Sequence, residues 1–529
     1  FKSVMLPDSL TSVAPFLASG CSNLVKITLP EDYTEVGESA FHGCASLAMV
    51  PKSTACVRIV EESFKNSGIV SFDFSNVQYV GKSAFENSKL FGSLSLPNIE
   101  TIEERAFFNC AGINSVAFGN GLKVVGDQAM CSTGCSGKLT IPTGCERIGA
   151  GAFTNCEISE FEIPTTCLNI GAYAFEGTPW YHNALLATKD YEVIYLNHIA
   201  LAFKNGKTEH PTDEWAMTLE IREGTTTIAD RFGDYLYYYD NESITTLKLP
   251  SSLRWIGDKA FQYRLSKTEE ITLPDALEHI GYGAFSSSGI GTISLGSNIS
   301  YIGDIAFAYC NGLVKVYYDV PNATGSMIFY KCKGLESVTF GPSVRSIPDY
   351  AFADCPALVK YEFEHLTLPE VSKSISSRAN ESEGFTIGEK AFSYACLSSA
   401  VLPSDITSVG EYAFEGVGLK TVYCFAPSPI DIESSEIFSN GKRTTIYVPK
   451  ESEATFKADP NWNKCNIVGA DMGEASIEAI SADSFDANSI VEVFNLKGLK
   501  IFEGVFSDID LPQGIYIIKS GSTTFRIIL

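Results

Sequence analysis

An Ala-Phe pair that returns at nearly constant spacing constrains this chain more than any other feature. It stands at Ala40-Phe41, Ala84-Phe85, Ala106-Phe107, Ala152-Phe153, Ala174-Phe175, Ala260-Phe261, Ala284-Phe285, Ala306-Phe307, Ala351-Phe352, Ala391-Phe392 and Ala413-Phe414. Degenerate copies at Phe16, Phe64, Met130, Phe232, Phe329 and Phe438 fill most of the gaps, so neighbouring anchors are mostly 21 to 24 residues apart. Self-similarity at a period of about 20–29 residues marks a solenoid, in which one short coil stacks on the next. A single coil cannot bury its own apolar face, but a stack can.

The full unit reads L-x-x-[IVL]-x-[LIF]-P-x-x-[LV]-x-x-I-G-x-x-A-F-x-x-C. Leu24, Ile27, Leu29, Pro30, Val36, Gly37 and Phe41 form one clear copy, and Ile158, Phe161, Ile163, Pro164, Ile170, Gly171, Ala174 and Phe175 form another. The alternation in Ile27-Thr28-Leu29 predicts a short strand with one buried face. Proline lacks an N–H, so the ladder stops there and the chain turns. Glycine after the second apolar residue is expected to permit a tight, left-handed corner. Alanine lets coils approach closely, and phenylalanine fills the wedge inside.

This pattern resembles the BspA-like class of leucine-rich repeats, found on surface and secreted proteins of anaerobic bacteria and some parasitic protists. The resemblance covers about residues 1–470, and the I-G-x-x-A-F element carries it. It implies a β-rich leucine-rich-repeat solenoid whose parallel β ladder has about 17 coils and a length on the order of 80 Å. It also implies a non-catalytic bacterial protein, secreted or on the cell surface and outer-membrane-associated, that acts in protein–protein contact and adhesion.

The repeat breaks in two places. Between Phe175 and Phe232, the alternation in Tyr191–Leu196 and Ile199–Phe203 predicts a β-hairpin insertion near 178–218, introduced by Thr178-Pro179-Trp180-Tyr181. Between Phe352 and Phe392, the polar run 372–384 predicts a loop insertion near 364–386. The run Asp234-Tyr235-Leu236-Tyr237-Tyr238-Tyr239-Asp240 admits two readings. Clustered tyrosines make binding hot spots, yet some of these could equally replace the ordinary core filling of their coil. Beyond Phe438, Thr445–Lys450, a short helix through Phe456 and then Trp462 read as a terminal coil closing the core.

Residues 471–529 lose the repeat. Their alternating segments Ile490–Asn495, Leu511–Ile518 and Thr524–Leu529 predict a small C-terminal β-sandwich. The V-x-V-x-N-x-x-G…L-P-x-G-I-Y-I sequence is similar to C-terminal sorting domains of exported bacterial proteins, which implies sorting or anchoring; a plain accessory sandwich would look much the same. At the other end, Phe1–Pro7 reads as the middle of a repeat, so further coils and an export signal are expected upstream, and an unpaired strand edge is expected near Val4–Leu6.

Composition excludes several partners. The net charge of −24 repels phosphate backbones and anionic lipid head groups, so nucleic acid is not expected, and no apolar run is long enough for a membrane span. Fifteen cysteines would suggest disulfides in an exported chain. Their placement argues otherwise: Cys44, Cys110, Cys156, Cys310, Cys332 and Cys355 each follow their anchor by three residues. Cys145 and Cys167 share a second repeat position. Repeat-locked cysteines are expected to be small buried core residues. Cys131 and Cys135 lack a matching His or Cys pair, so no metal is expected. With only six histidines and no nucleophile elbow, H-E-x-x-H or phosphate-binding loop, we expect no catalytic residues and no cofactor. Carboxylate pairs such as Glu160 and Glu162 read as solvated charges.

The residues between buried positions on each strand face solvent, and small hydroxyls dominate them. Such ladders are comfortable without a ligand, but solenoids also commonly bind through this face. Lys315, Tyr317 and Tyr423 are its large amphipathic members. Together with Tyr235, Tyr237 and Tyr239 they are the candidate binding residues for a protein ligand, either a host extracellular protein or another cell-surface protein. Two alternatives stay open: a carbohydrate-binding surface protein using Trp180, Trp215 and the tyrosine cluster, and a structural spacer without a ligand.

Overall fold

The computed structural model describes residues 2–7, 9–204, 216–234, 243–265, 268–364, 384–432, 435–438 and 444–470, with the C-terminal segments 479–481, 490–494, 500–505, 515–520 and 523–528. The repeats wind into a parallel β-solenoid of about 19 turns. Most turns supply a longer strand and then a two-residue strand, as in Ser337–Phe340 followed by Ser346–Ile347. Each kind pairs in register with its counterpart in the next turn: Lys315 with Ser337 and Ser337 with Lys360 on the longer strands, Trp255 with His279 and His279 with Tyr301 on the short ones. The first described strand, Ser3–Met5, pairs with Lys26–Thr28.

A third side of the coil carries the anchors. Here the backbone forms a ladder without strands. The Phe41 N–H donates to the Ser63 carbonyl at 2.8 Å, and Phe285 N–H to the Ala306 carbonyl at 2.8 Å. In most turns the residues two before and two after the anchor take left-handed backbone angles, such as Ser39 and Gly43 around Phe41 or Ile305 and Tyr309 around Phe307. Phe16 is not the anchor that its spacing suggests: it takes the left-handed angle itself and is exposed, and the buried Ala18 stands in the anchor place. The left-handed corner expected at the I-G glycine is therefore displaced to the positions flanking the anchor. The I-G glycine is needed for space instead. A Cβ on Gly257 would lie 2.5 Å from the Asp230 backbone nitrogen, and one on Gly410 would lie 2.5 Å from that of Glu389. An aspartate after this glycine completes the ladder by side chain: Asp258 Oδ1 accepts from Tyr282 N–H at 2.7 Å, and Asp304 Oδ1 from Ser326 N–H at 2.7 Å.

Inside, the anchors stack as a column. Phe41, Phe64, Phe85 and Phe107 follow at 5.2, 5.1 and 5.4 Å, and a second column runs from Phe261 through Phe285, Phe307, Phe329, Phe352 and Phe392 to Phe414. Full burial of each ring contributes about 1.5–3 kcal/mol. The repeat-locked thiols donate to the carbonyl of the preceding turn's anchor: Cys110 to Phe85 at 3.0 Å, Cys332 to Phe307 at 3.2 Å and Cys355 to Phe329 at 3.2 Å. These cysteines are buried and unpaired, as their spacing predicts. Cys145 and Cys167 stack with their sulfurs 4.0 Å apart.

The core divides in two. One cluster runs from Val13 to Phe175, the other from Val193 to Ile467. Between them lies an insertion that is not a hairpin throughout. Helix α1, Pro179–Ala187, comes first; Thr178 caps it by accepting from Tyr181 N–H at 3.1 Å, and proline suits the first turn. The antiparallel pair Val193–Leu196 and Ile199–Phe203 follows. Its Leu196 and Ile199 pack into the first cluster, while Val193, Ala200 and Phe203 pack into the second. Residues 205–215 lie outside the described set, and Ala216–Glu220 is already a longer strand of the solenoid. Phe232 arrives one position early, bonded through Gly233 N–H to the Ala260 carbonyl, so it meets Phe261 edge-on at 61°.

The second expected insertion, 364–386, ends earlier than its sequence suggests. Phe385–Ile387 is a short strand of the ladder, and 365–383 lie outside the described residues. Helix α2, Glu453–Ala458, and Trp462 close the far end. Trp462 donates through Nε1 to the Ile430 carbonyl at 3.1 Å and packs on Phe438 and Phe456. Among the described residues the C-terminal strands from Ala479 to Ile528 form one five-stranded sheet.

Candidate functional site

The longer strands form the broadest regular surface, and its outward rows are largely hydroxyl. Ser115 donates to Ser93 across turns at 2.8 Å, and Thr140 to Glu162 at 3.0 Å. Lys138 Nζ lies 3.1 Å from Glu160 and 3.2 Å from Glu162. That cation holds the Glu162 carboxyl below its usual range. Glu162 is therefore held in its ionised form.

Lys315 and Tyr317 stand on strand Lys315–Tyr318, which pairs with Thr292–Leu295 and Ser337–Phe340. The Tyr317 hydroxyl donates to Glu364 Oε2 at 2.6 Å, and this bond raises its pKa. Tyr423 lies further along the same kind of strand, in register with Tyr447 and stacked on it at 5.5 Å and 16°. Tyr447 escaped the sequence reading because a lone tyrosine in a terminal coil carries no signal until the register is known. The structure thus keeps Lys315 with Tyr317 but gives Tyr423 a different companion. Tyr235, Tyr237 and Tyr239 lie outside the described residues, as does Trp215. Trp180 is not a surface platform. It packs edge-on against Phe161 at 5.8 Å and Phe175 at 6.3 Å, closing the first core.

The ladder of longer strands is discontinuous. Among the described residues, Ser243–Lys248 pairs with Ala216–Glu220 and not with the following coil, which meets the next strand at the isolated Glu270–Thr292 bridge. Next to this break, across the Glu270–Thr292 bridge, a groove of about 650 Å³ opens, lined by Glu270, Thr272, Asp275, Ser294, Lys315 and Tyr317 among others. A smaller one of about 230 Å³ opens beside Phe72, Asp73 and Phe91. Both are open, polar-rimmed clefts. Among the described residues no group of three His, Cys, Asp or Glu side chains is placed to hold a metal, and no helix is long and apolar enough to cross a membrane.

The short strands carry a feature the sequence did not announce. Trp255, His279 and Tyr301 stack face to face, at 3.3 and 4.3 Å with planes within 5°. Burial pushes the His279 pKa down to about 3, so the ring is neutral in the stack. Both faces of the His279 ring are covered, while Tyr301 at the end of the stack is exposed.

The model of the BspA type leucine-rich repeat region (6 copies) matches residues 1–97, 57–182, 230–359 and 385–511. The chain belongs to the BspA-type leucine-rich repeat family. Of the unmatched stretches, 183–229 and 360–384 fall where the anchor spacing breaks, and 512–529 lies at the C-terminal end of the given sequence. Membership places this BspA-type chain among repeat proteins of protein contact rather than catalysis. No curated protein sequence matches it. Among solved structures it is similar to a leucine-rich repeat protein from Bacteroides ovatus, at 18% identity over 85% of this chain and 92% of that one, TM-score 0.29. A leucine rich cell surface protein from Faecalibacterium prausnitzii aligns at 19% identity over 69% and 88%, TM-score 0.27. The pneumococcal vaccine antigen PcpA aligns at 14% identity over 89% of both chains, TM-score 0.22.

Proposed function

We propose that this protein is a secreted or cell-surface adhesion protein that grips a protein ligand through the longer-strand face. The observation that carries this reading is the groove beside the ladder break, with Lys315 and Tyr317 on its wall. An amphipathic ring and a cation beside a rigid polar cleft are what a protein hot spot uses. The stacked Tyr423–Tyr447 pair extends the same face. Family membership supports contact rather than chemistry. The region 471–529 serves in this reading as a sorting or anchoring module.

The test is a binding screen of the purified chain against extracellular-matrix proteins, followed by Lys315→Ala, Tyr317→Ala and Tyr423→Ala. A saturable ligand whose affinity falls at least about tenfold with these variants supports the reading. Clean negatives, or a ligand indifferent to all three, end it in favour of the spacer. Deleting 471–529 in the producing cell should release the protein into the medium; undiminished retention rules out the sorting role.

A further inference from the structure

The exposed aromatic residues gather on a different side of the molecule. Tyr263, Tyr309 and Tyr394 occupy the left-handed position two residues after their anchors, at φ 63°, 60° and 57°. They are 60%, 42% and 53% exposed. The fold does not ask for tyrosine there. In the first half the same position holds Asn66, Asn87 and Asn109, whose amides bond to one another at 3.0 and 2.8 Å. Asparagine and glycine adopt this backbone readily, whereas a bulky residue held there costs on the order of 1–2 kcal/mol. In other turns the same position holds Ser287, Lys331 and Asp354, so the turn itself does not require the tyrosines.

The surroundings present these rings for use. A Cβ on Gly416 would meet the Tyr394 ring at 2.5 and 2.8 Å, so glycine in the next turn makes the seat on which that ring lies. Tyr330 meets Tyr309 edge-on at 5.8 Å and props it. Lysines on this side are engaged by tyrosines: Lys331 sits 4.8 Å over Tyr330, Lys259 5.3 Å over Tyr282 and Lys390 5.3 Å over Tyr350. With its cations so engaged and a net charge of −24 behind it, the side does not suit an anionic polymer. Tyr263 and Tyr309 are two turns apart and Tyr309 and Tyr394 three, about 10 and about 14 Å at the strand spacing. Such a row matches a ligand that itself repeats.

We propose that this tyrosine side binds a neutral polysaccharide, with the rings of Tyr263, Tyr309 and Tyr394 stacking on sugar faces spaced along one chain. This site is separate from the protein-binding face, so the two readings fail independently.

The test is affinity electrophoresis of the whole chain in gels containing β-glucan, xylan, galactomannan or starch, with polygalacturonate as the anionic control. Retardation by a neutral polymer is expected, together with at least a 100-fold loss in the triple variant Tyr263→Ala, Tyr309→Ala, Tyr394→Ala. A second triple variant, with asparagine at the same three positions, restores the residue of the first half and should fold at least as well while losing the same binding. Tyr423→Ala should bind the polymer normally. The proposal is overturned if no neutral polymer retards the protein, if polygalacturonate retards it equally, or if the asparagine triple variant binds undiminished.

Discussion

Trp180 meets Phe175 edge-on with ring centroids 6.3 Å apart, and there the first aromatic column ends. The next anchor, Phe232, belongs to the other core cluster. Trp462 ends the second column, tilted at 50° against Phe438 at 5.7 Å and edge-on to Phe456 at 4.9 Å. Each half of the solenoid thus carries its own tryptophan cap. Stability in such arrays is a sum of local terms, so the caps act separately. Trp462→Ala should cost about 3–5 kcal/mol and lower the unfolding transition of the second half alone, read by calorimetry with limited proteolysis. Equal loss of both halves would show one cooperative unit.

The thiols give a second check. Cys396 is exposed and Cys21 half-buried, while the others are buried. Burial pushes the thiol pKa up to about 11 at Cys44 and Cys110 and about 12 at Cys56 and Cys355. Thiolate is the reactive form. A thiol-disulfide reagent at pH 8 should therefore label at most two cysteines promptly in the native chain, and all 15 after denaturation. Prompt labelling of more in the native chain would contradict the buried ladder.

His279 sets a response to acid. Its folded pKa is depressed from 6.5 to about 3 by burial between Trp255 and Tyr301. The unfolded chain then binds the proton more readily, so stability is full above pH 6.5 and falls as pH drops from 6.5 toward 3. Replacing it as His279→Phe keeps a ring in the stack and removes the titration. Its denaturation midpoint should vary less between pH 7 and pH 4 than that of the parent; identical slopes would place the acid sensitivity elsewhere.

Asp230 acts with the opposite sign. Burial, with Asp258 and Asp127 nearby and Arg147 opposing, raises its pKa from 3.8 to about 7. The folded chain keeps that proton, so stability falls as pH rises from about 4 to about 7 and is level beyond. The Asp230 Oδ1 accepts from Asp258 N–H at 2.8 Å. Asp230→Asn preserves that acceptor and removes the charge. It should stabilise the protein at pH 8, by on the order of 1–3 kcal/mol, and leave it unchanged at pH 4. Equal effects at both pH values would mean that the side chain does not titrate in the fold.

Much of this was legible from the repeat. The Ala-Phe spacing gives the solenoid, the positions of Cys110, Cys332 and Cys355 give their burial, and the long intervals after Phe175 and Phe352 mark the insertions. These are periodic signals, and every turn repeats the same local physics. Helix α1 was missed because nine residues capped by Thr178 within an alternating stretch leave no periodicity to read.

By itself, then, the sequence determined what each coil buries: the strand, the Ile, the anchor ring and the thiol, because burial is decided within one repeat. Only the tertiary structure decided what the coils present. Tyr423 beside Tyr447, His279 between Trp255 and Tyr301, and the tyrosine side of Tyr263, Tyr309 and Tyr394 are made of residues a full turn or more apart. The reason is geometric. Backbone register brings such residues within about 5 Å of one another or sets them at multiples of that rise, and register belongs to the stack, not to any one turn.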